Sequence, residues 1–191
     1  AYSEYQPECL GQPSMVHNIY SAEPPMAYLV FPIKASITMY SIIGFIPFDT
    51  IRTFYPPPLD IGFTGDSLCN PCISITPGDF LHVVWQRKRE NTKSVYYTTT
   101  LEKVTPSRIY ETQGNLAWSE KVRISTEQPW PTEPATNPTT EAHGEYVYAA
   151  WRGPNESGTP TKGDIWRRRR WLQNPPEDWY PPQNKSETPD N

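Results

Sequence analysis

The stretch Phe80-Leu-His-Val-Val-Trp-Gln86 returns later in the chain as Tyr146-Val-Tyr-Ala-Ala-Trp-Arg152. Ala27-Tyr-Leu-Val-Phe-Pro32 aligns with both, so that Phe31, Trp85 and Trp151 share one column. A phrase written three times restricts the fold to architectures that stack like units, because one unit cannot cover its own apolar faces. The unit extends beyond the phrase. Upstream of each copy stand Gln12-Pro13, Asn70-Pro71 and Asn137-Pro138, each followed by a short extended run (SMVHNI, CISIT, TTEAHG), and the prolines are spaced 58 and 67 residues apart. Proline in a sheet belongs at a strand start or an interruption of the ladder, so each run reads as a first strand and the phrase as a second.

Downstream, SITMYSI from Ser36, SVYYTTT from Ser94 and DIWRRRR from Asp164 read as a third strand, with Ile37, Val95 and Ile165 in register. A last short run follows an aromatic residue, Tyr55, Trp118 or Trp179. In the second and third copies a serine, Ser125 or Ser186, lies seven residues after it, and Gly62 takes that place in the first. Composition agrees with short strands joined by stiff turns. The 23 prolines cannot sit inside central ladders, and the 25 aromatic residues supply buried area that the scarce helix formers do not. The expected fold class is all-β: β-propeller blades of four antiparallel strands, about three blades in this chain, a half or partial propeller. Residues 1-12 are read as an N-terminal segment and candidate last strand of a neighbouring blade, and 13-65, 66-133 and 134-191 as three blade-like repeats. Phe31, Trp85, Trp151, Tyr55 and Trp118 are the expected blade-packing residues.

In NPCISITPGDFLHVVWQ, SVYYTTT and GNLAWSEKVRIS, echoed by GDIWRRRR and DWYPPQNKS, the chain resembles the sialidase-like propellers built from Asp-box (BNR) repeats. Trp118 and Trp179 keep the tryptophan of the box's Ser-x-Asp-x-Gly-x-Thr-Trp turn, and no unit keeps its Ser, Asp and Gly together. The resemblance suggests a ring of six blades, which two three-blade chains would complete. For the enzymes of that family it implies an arginine triad that clamps the substrate carboxylate, an aspartate acid and a tyrosine nucleophile activated by glutamate. Arg52, Arg108, Arg123 and Arg152 are scattered and none stands in an Arg-Ile-Pro context, so no catalytic residue is carried over and the chain is not read as an enzyme.

Charge narrows the partners. The net charge is −4, with two basic and seven acidic side chains from Ala1 to Gln86 and fifteen basic and fourteen acidic from Arg87 to Asn191, and neither half has the profile of a nucleic-acid binder. Arg167 to Arg170 stand in a third strand, whose alternation sends two arginines to each face. They are read as stacking on aromatics and pairing with acidic loops, with Arg168 and Arg170 held as candidates for an anionic partner. Trp130 and Trp179, beside acidic residues, are candidate partner- or glycan-stacking side chains.

Cys9, Cys69 and Cys72 are compatible with one disulfide, read as Cys9 to Cys69 or Cys72, and hence with an extracytoplasmic location. Cys69-Asn-Pro-Cys72 lacks the strand-to-helix context of a redox motif and a second ligand pair for zinc. His17, His82 and His143 fall in different strands, so neither metal nor cofactor is expected. Ala27 to Phe48 is long and apolar enough to be tested as a membrane span, but Lys34, Pro32, Gly44 and a two-residue alternation make it strand-like. The functional expectation is a non-catalytic, extracytoplasmic propeller module acting as an interaction or scaffold subunit, its partners other proteins or a second copy. The alternative is a glycan-binding or sialidase-like hydrolase propeller.

Overall fold

A computed structural model describes residues 14–17, 26–30, 33–36, 39–41, 44–47, 67–89, 92–112, 116–125, 135–153 and 163–186. Phe31, Tyr55, Trp130, Cys9 and residues 1-12 lie outside them. The described chain is all-β apart from one seven-residue helix. β1 (Ser14–His17), β2 (Met26–Val30) and β5 (Gly44–Pro47) form a first antiparallel sheet in that order, and β3 (Ile33–Ser36) pairs with β4 (Met39–Ser41) in a separate hairpin. The second sheet takes β6 (Ser67–Ile75), β7 (Leu81–Arg89), β8 (Thr92–Thr99) and β9 (Val122–Arg123) in chain order. The third does the same with β10 (Thr136–His143), β11 (Tyr146–Gly153), β12 (Asp164–Trp171) and β13 (Gln183–Asn184). The described sheets do not close into a ring.

The leading prolines explain a shared irregularity. In β6 the register against β7 shifts between Cys69 and Cys72, and in β10 the register against β11 shifts between Thr136 and Thr139. Each first strand thus carries one extra residue at its Asn-Pro step. Proline has no N–H to give the ladder, and the asparagine before it adopts the left-handed backbone that Asn tolerates, with φ of 49° at Asn70 and 50° at Asn137. The first sheet departs from the expected order: β2 pairs with β5, not with a strand starting at Ser36, because the β3–β4 hairpin is inserted between them. Two registered strands separated by a tight hairpin satisfy their own backbone groups, so the insertion costs the main sheet only connection length.

The sheets stack face to face. Tyr28 and Val30 of the first sheet meet Ile73, Leu81, Val83 and Trp85 of the second. On its other side the second sheet brings Val84, Val95, Tyr97 and Ile124 against Val147, Ala149, Trp151, Trp166 and Trp179 of the third. β7 is therefore buried on both faces, which accounts for the near-continuous apolar run of Phe80 to Trp85; β11 covers one face and alternates accordingly. The column that aligned Trp85 with Trp151 is also a column in space, since each points at the preceding sheet. Trp118 is partly buried against the core between the first and second sheets, as Trp179 is buried between the second and third.

Between β8 and β9 lies α1 (Pro106–Thr112), which the composition did not anticipate. Its signal was nonetheless local: Thr105 caps it by accepting from Arg108 N at 3.2 Å, and Pro106 opens it, where a missing N–H is harmless. No described helix is long and apolar enough to cross a membrane, and the described parts of Ala27 to Phe48 are the strands β2 to β5.

Candidate functional site

β12 divides its four arginines between two environments. Arg168 and Arg170 turn toward the second sheet, and Arg167 and Arg169 turn away from it. Arg170 is 4% exposed and donates to Pro175 O at 3.0 Å, to Asn174 O and to the Tyr97 hydroxyl at 3.1 Å. Arg168 donates to Tyr180 O, Ile124 O and Trp179 O, and burial lowers its pKa. The guanidinium forks of both residues are engaged with backbone carbonyls and, for Arg170, a buried hydroxyl, so they join the third sheet to the second and to its own loop. Trp179, 6% exposed, sets its ring edge-on to Tyr97 at 4.9 Å and donates its indole N–H to Pro176 O. It sits in the packing between sheets.

Tyr97 connects this seam to one of the three histidines, His82. The hydroxyl of Tyr97 lies 2.9 Å from His82 Nδ1, and the two rings stack with their centroids 6.1 Å apart. His82 is fully enclosed. Desolvation first, and the neighbouring Arg170 second, lower its pKa to about 3, so the ring is neutral. Burial raises Tyr97 to about 12 against the opposing pull of Arg170 and Thr99. The Nε2 of His82 and the Nε1 of Trp85 are the buried side-chain atoms without a hydrogen-bond partner among the described residues. No spacing in the sequence pointed to this trio, because its members come from three strands and Tyr97 and Arg170 are 73 residues apart.

The first strands of the three sheets lie side by side and line up small polar groups. Ser14 Oγ donates to Cys72 Sγ at 3.6 Å, Cys72 Sγ lies 3.6 Å from Thr139 Oγ1, and Thr140 N donates to the same sulfur at 3.4 Å. Ser14, Cys72 and Thr139 each follow a leading proline, so the spacings of 58 and 67 residues appear here as direct contacts. Two positions earlier, Asn70 Nδ2 donates to Asn137 Oδ1 at 3.1 Å. Cys69 and Cys72 are both free thiols, and Cys9, the partner expected for one of them, lies outside the described residues. Cys72 faces the shared row, and Cys69 is buried and accepts from Gln86 Nε2 at 3.1 Å. No group of three His, Cys, Asp or Glu among the described residues is placed to hold a metal ion.

The remaining face is the outer side of the third sheet. Thr139, Glu141, His143, Tyr148, Ala150 and Arg167 line an open cleft of about 510 Å³ there. Arg167 lies over the Tyr148 ring at 5.7 Å and donates to Gln183 Oε1, and Arg169 lies between Tyr146 at 5.3 Å and Tyr180 at 4.9 Å. The aromatic stacking expected for the arginine strand is thus present on this face; the carboxylate pairing is not, because neither arginine has an ion pair among the described residues. Nothing in the sequence singles out Tyr146 and Tyr148 beyond their place in a strand, and it is the alternation of β11 against a covered inner face that puts them, half-buried, on this side with exposed Arg152.

No protein-family model matches the chain, and no curated protein or solved structure matches it either.

Proposed function

We propose that this chain is a non-catalytic β-propeller module, a partial ring that serves as an interaction or scaffold subunit of a larger assembly. One observation carries the reading. The second sheet is covered on both faces by its neighbours, whereas the equivalent outer face of the third is open. Stacked units of this kind end either in a closed ring or against something else. Kinship with the sialidase-like Asp-box propellers draws support from Trp118 with Ser125 and Trp179 with Ser186. Each serine accepts the corresponding N–H of the third strand, from Val95 at 3.0 Å and from Ile165 at 2.9 Å. The proposal places the module outside the cytosol, on the sequence reading of its three cysteines.

Light scattering on the gently isolated native particle, with identification of every co-purifying polypeptide, tests this. The expected mass exceeds the 21.9 kDa of one chain. A native particle of one chain alone overturns the reading.

The cleft on the third sheet favours a second reading, glycan binding, since a carboxylate, a tyrosine ring and a guanidinium converge there. Retention on a glycan array supports it, and turnover of a fluorogenic sialoside would make the chain an enzyme.

A further inference from the structure

We infer that the outer face of the third sheet is a docking surface for a carboxylate-rich segment of a partner protein, an inference that rests on the reading of the chain as an interaction subunit. The starting point is a comparison of two equivalent faces. The registers of β7 with β8 and of β11 with β12 place Gln86, Tyr97 and Thr99 of the second sheet in correspondence with Arg152, Arg167 and Arg169 of the third. The first three are buried against a neighbouring sheet; of the last three, Arg152 and Arg169 are exposed and Arg167 is half-buried. A neutral, sheet-covered face in one unit has become a face of three arginines in the next.

That exchange excludes another layer packed the same way. Burying three guanidiniums under an apolar sheet strands charge that water was solvating, and the cost is recovered only when each meets an acceptor. Among the described residues of this face Glu141 is the one carboxylate in the cleft lining, and the acid at the β10–β11 turn, Glu145, already accepts from the Trp171 indole at 3.3 Å. Arg167 meets a neutral acceptor, Gln183 Oε1 at 3.3 Å, and carboxylate acceptors for the three arginines are left to a partner.

The arginines are arranged to receive them. The Tyr148 ring underlies Arg167 and the Tyr146 and Tyr180 rings flank Arg169, so both guanidiniums are partly ordered before a partner binds and the entropic cost of pairing them is reduced. Arginine and tyrosine are also the side chains that concentrate binding energy at protein interfaces. A second copy offers a poorer match. Ser14 and Val16 of β1 face the second sheet, so alternation turns Met15 outward, where it is 64% exposed and apolar.

The test is a fluorescence-anisotropy titration of the full 191-residue chain. The probe is a fluorescein-labelled peptide of alternating glutamate and serine, with lysine–serine and glutamine–serine peptides as controls. The expected result is saturable binding of the glutamate peptide alone, weakened about tenfold by Arg167→Ala with Arg169→Ala. Lys103→Ala with Lys121→Ala removes the same charge from the second sheet and is expected to cost less than about twofold. Arg167→Lys with Arg169→Lys keeps the charge, loses the planar fork and is expected to fall between the two.

Absence of binding, equal losses in the arginine and lysine pairs, or equal affinity for the glutamine peptide would each overturn the inference. So would self-association of the free chain that the arginine pair abolishes, since the occupant would then be a second copy. The native particle's mass is read separately. A large particle whose arginine variant binds the peptide normally overturns this inference and leaves the assembly reading standing; a native monomer with arginine-dependent binding does the reverse.

Discussion

Gly153 shows how a single residue is set by the seam between sheets. A Cβ built on it would lie 2.8 Å from Trp166 Cδ1, and that ring belongs to the buried core between the second and third sheets, with little room to move. Gly153→Ala is expected to cost about 1 to 3 kcal/mol in urea unfolding, as overpacking does in other cores. His82 makes a second prediction at this scale. Its pKa is about 3 in the folded chain against 6.5 in the unfolded one. Above pH 6.5 both states hold the ring neutral. As pH falls from 6.5 toward 3, the unfolded chain binds a proton that the folded chain refuses, so stability falls with acidification by roughly 4 kcal/mol at most. His82→Phe is expected to flatten that part of the stability-against-pH curve relative to the unsubstituted chain. An unchanged slope would show that other groups set it.

At the scale of the element, each fourth strand does its work through backbone atoms. In the second sheet Ile124 N donates to Val95 O while Ser125 Oγ accepts from Val95 N; in the third, Lys185 N donates to Ile165 O while Ser186 Oγ accepts from Ile165 N. The same two-bond clamp recurs where sequence alignment placed the serines. Its surroundings differ, because Ser125 is buried and the Ser186 bond is open to water. Ser125→Ala is therefore expected to cost about 1 to 2 kcal/mol by stranding a buried N–H, and Ser186→Ala about half a kcal/mol or less, since water replaces the lost acceptor. Chemical denaturation of the two variants checks both values. α1 obeys the same local logic, with a Thr cap and a Pro in its first turn on the page before any tertiary contact.

At the scale of the whole molecule, the described sheets cohere by stacking, and no disulfide ties them among the described residues. The thiol assay follows directly: Cys69 and Cys72 should both titrate in denaturant without reductant, and added reductant should leave the melting temperature unchanged. A drop in melting temperature on reduction would restore the disulfide. The seam of His82, Tyr97 and Arg170 has a different character from the apolar core around it. A buried guanidinium bound to two carbonyls and a tyrosine makes the third sheet's placement on the second depend on hydrogen-bond direction as well as area.

The sequence by itself determined the all-β class, the strand phrases, the alternation of the four arginines and the paired serines. All of these follow from residue periodicity and the backbone limits of proline, which act over a few residues. Only the tertiary structure decided that Phe80 to Trp85 is covered on two faces, that β5 displaces the expected third strand of the first sheet, and that Arg168 and Arg170 are consumed internally while Arg167 and Arg169 are not. Those outcomes depend on which sheet lies against which face. That is a contact between segments up to 73 residues apart, and no local pattern encodes it.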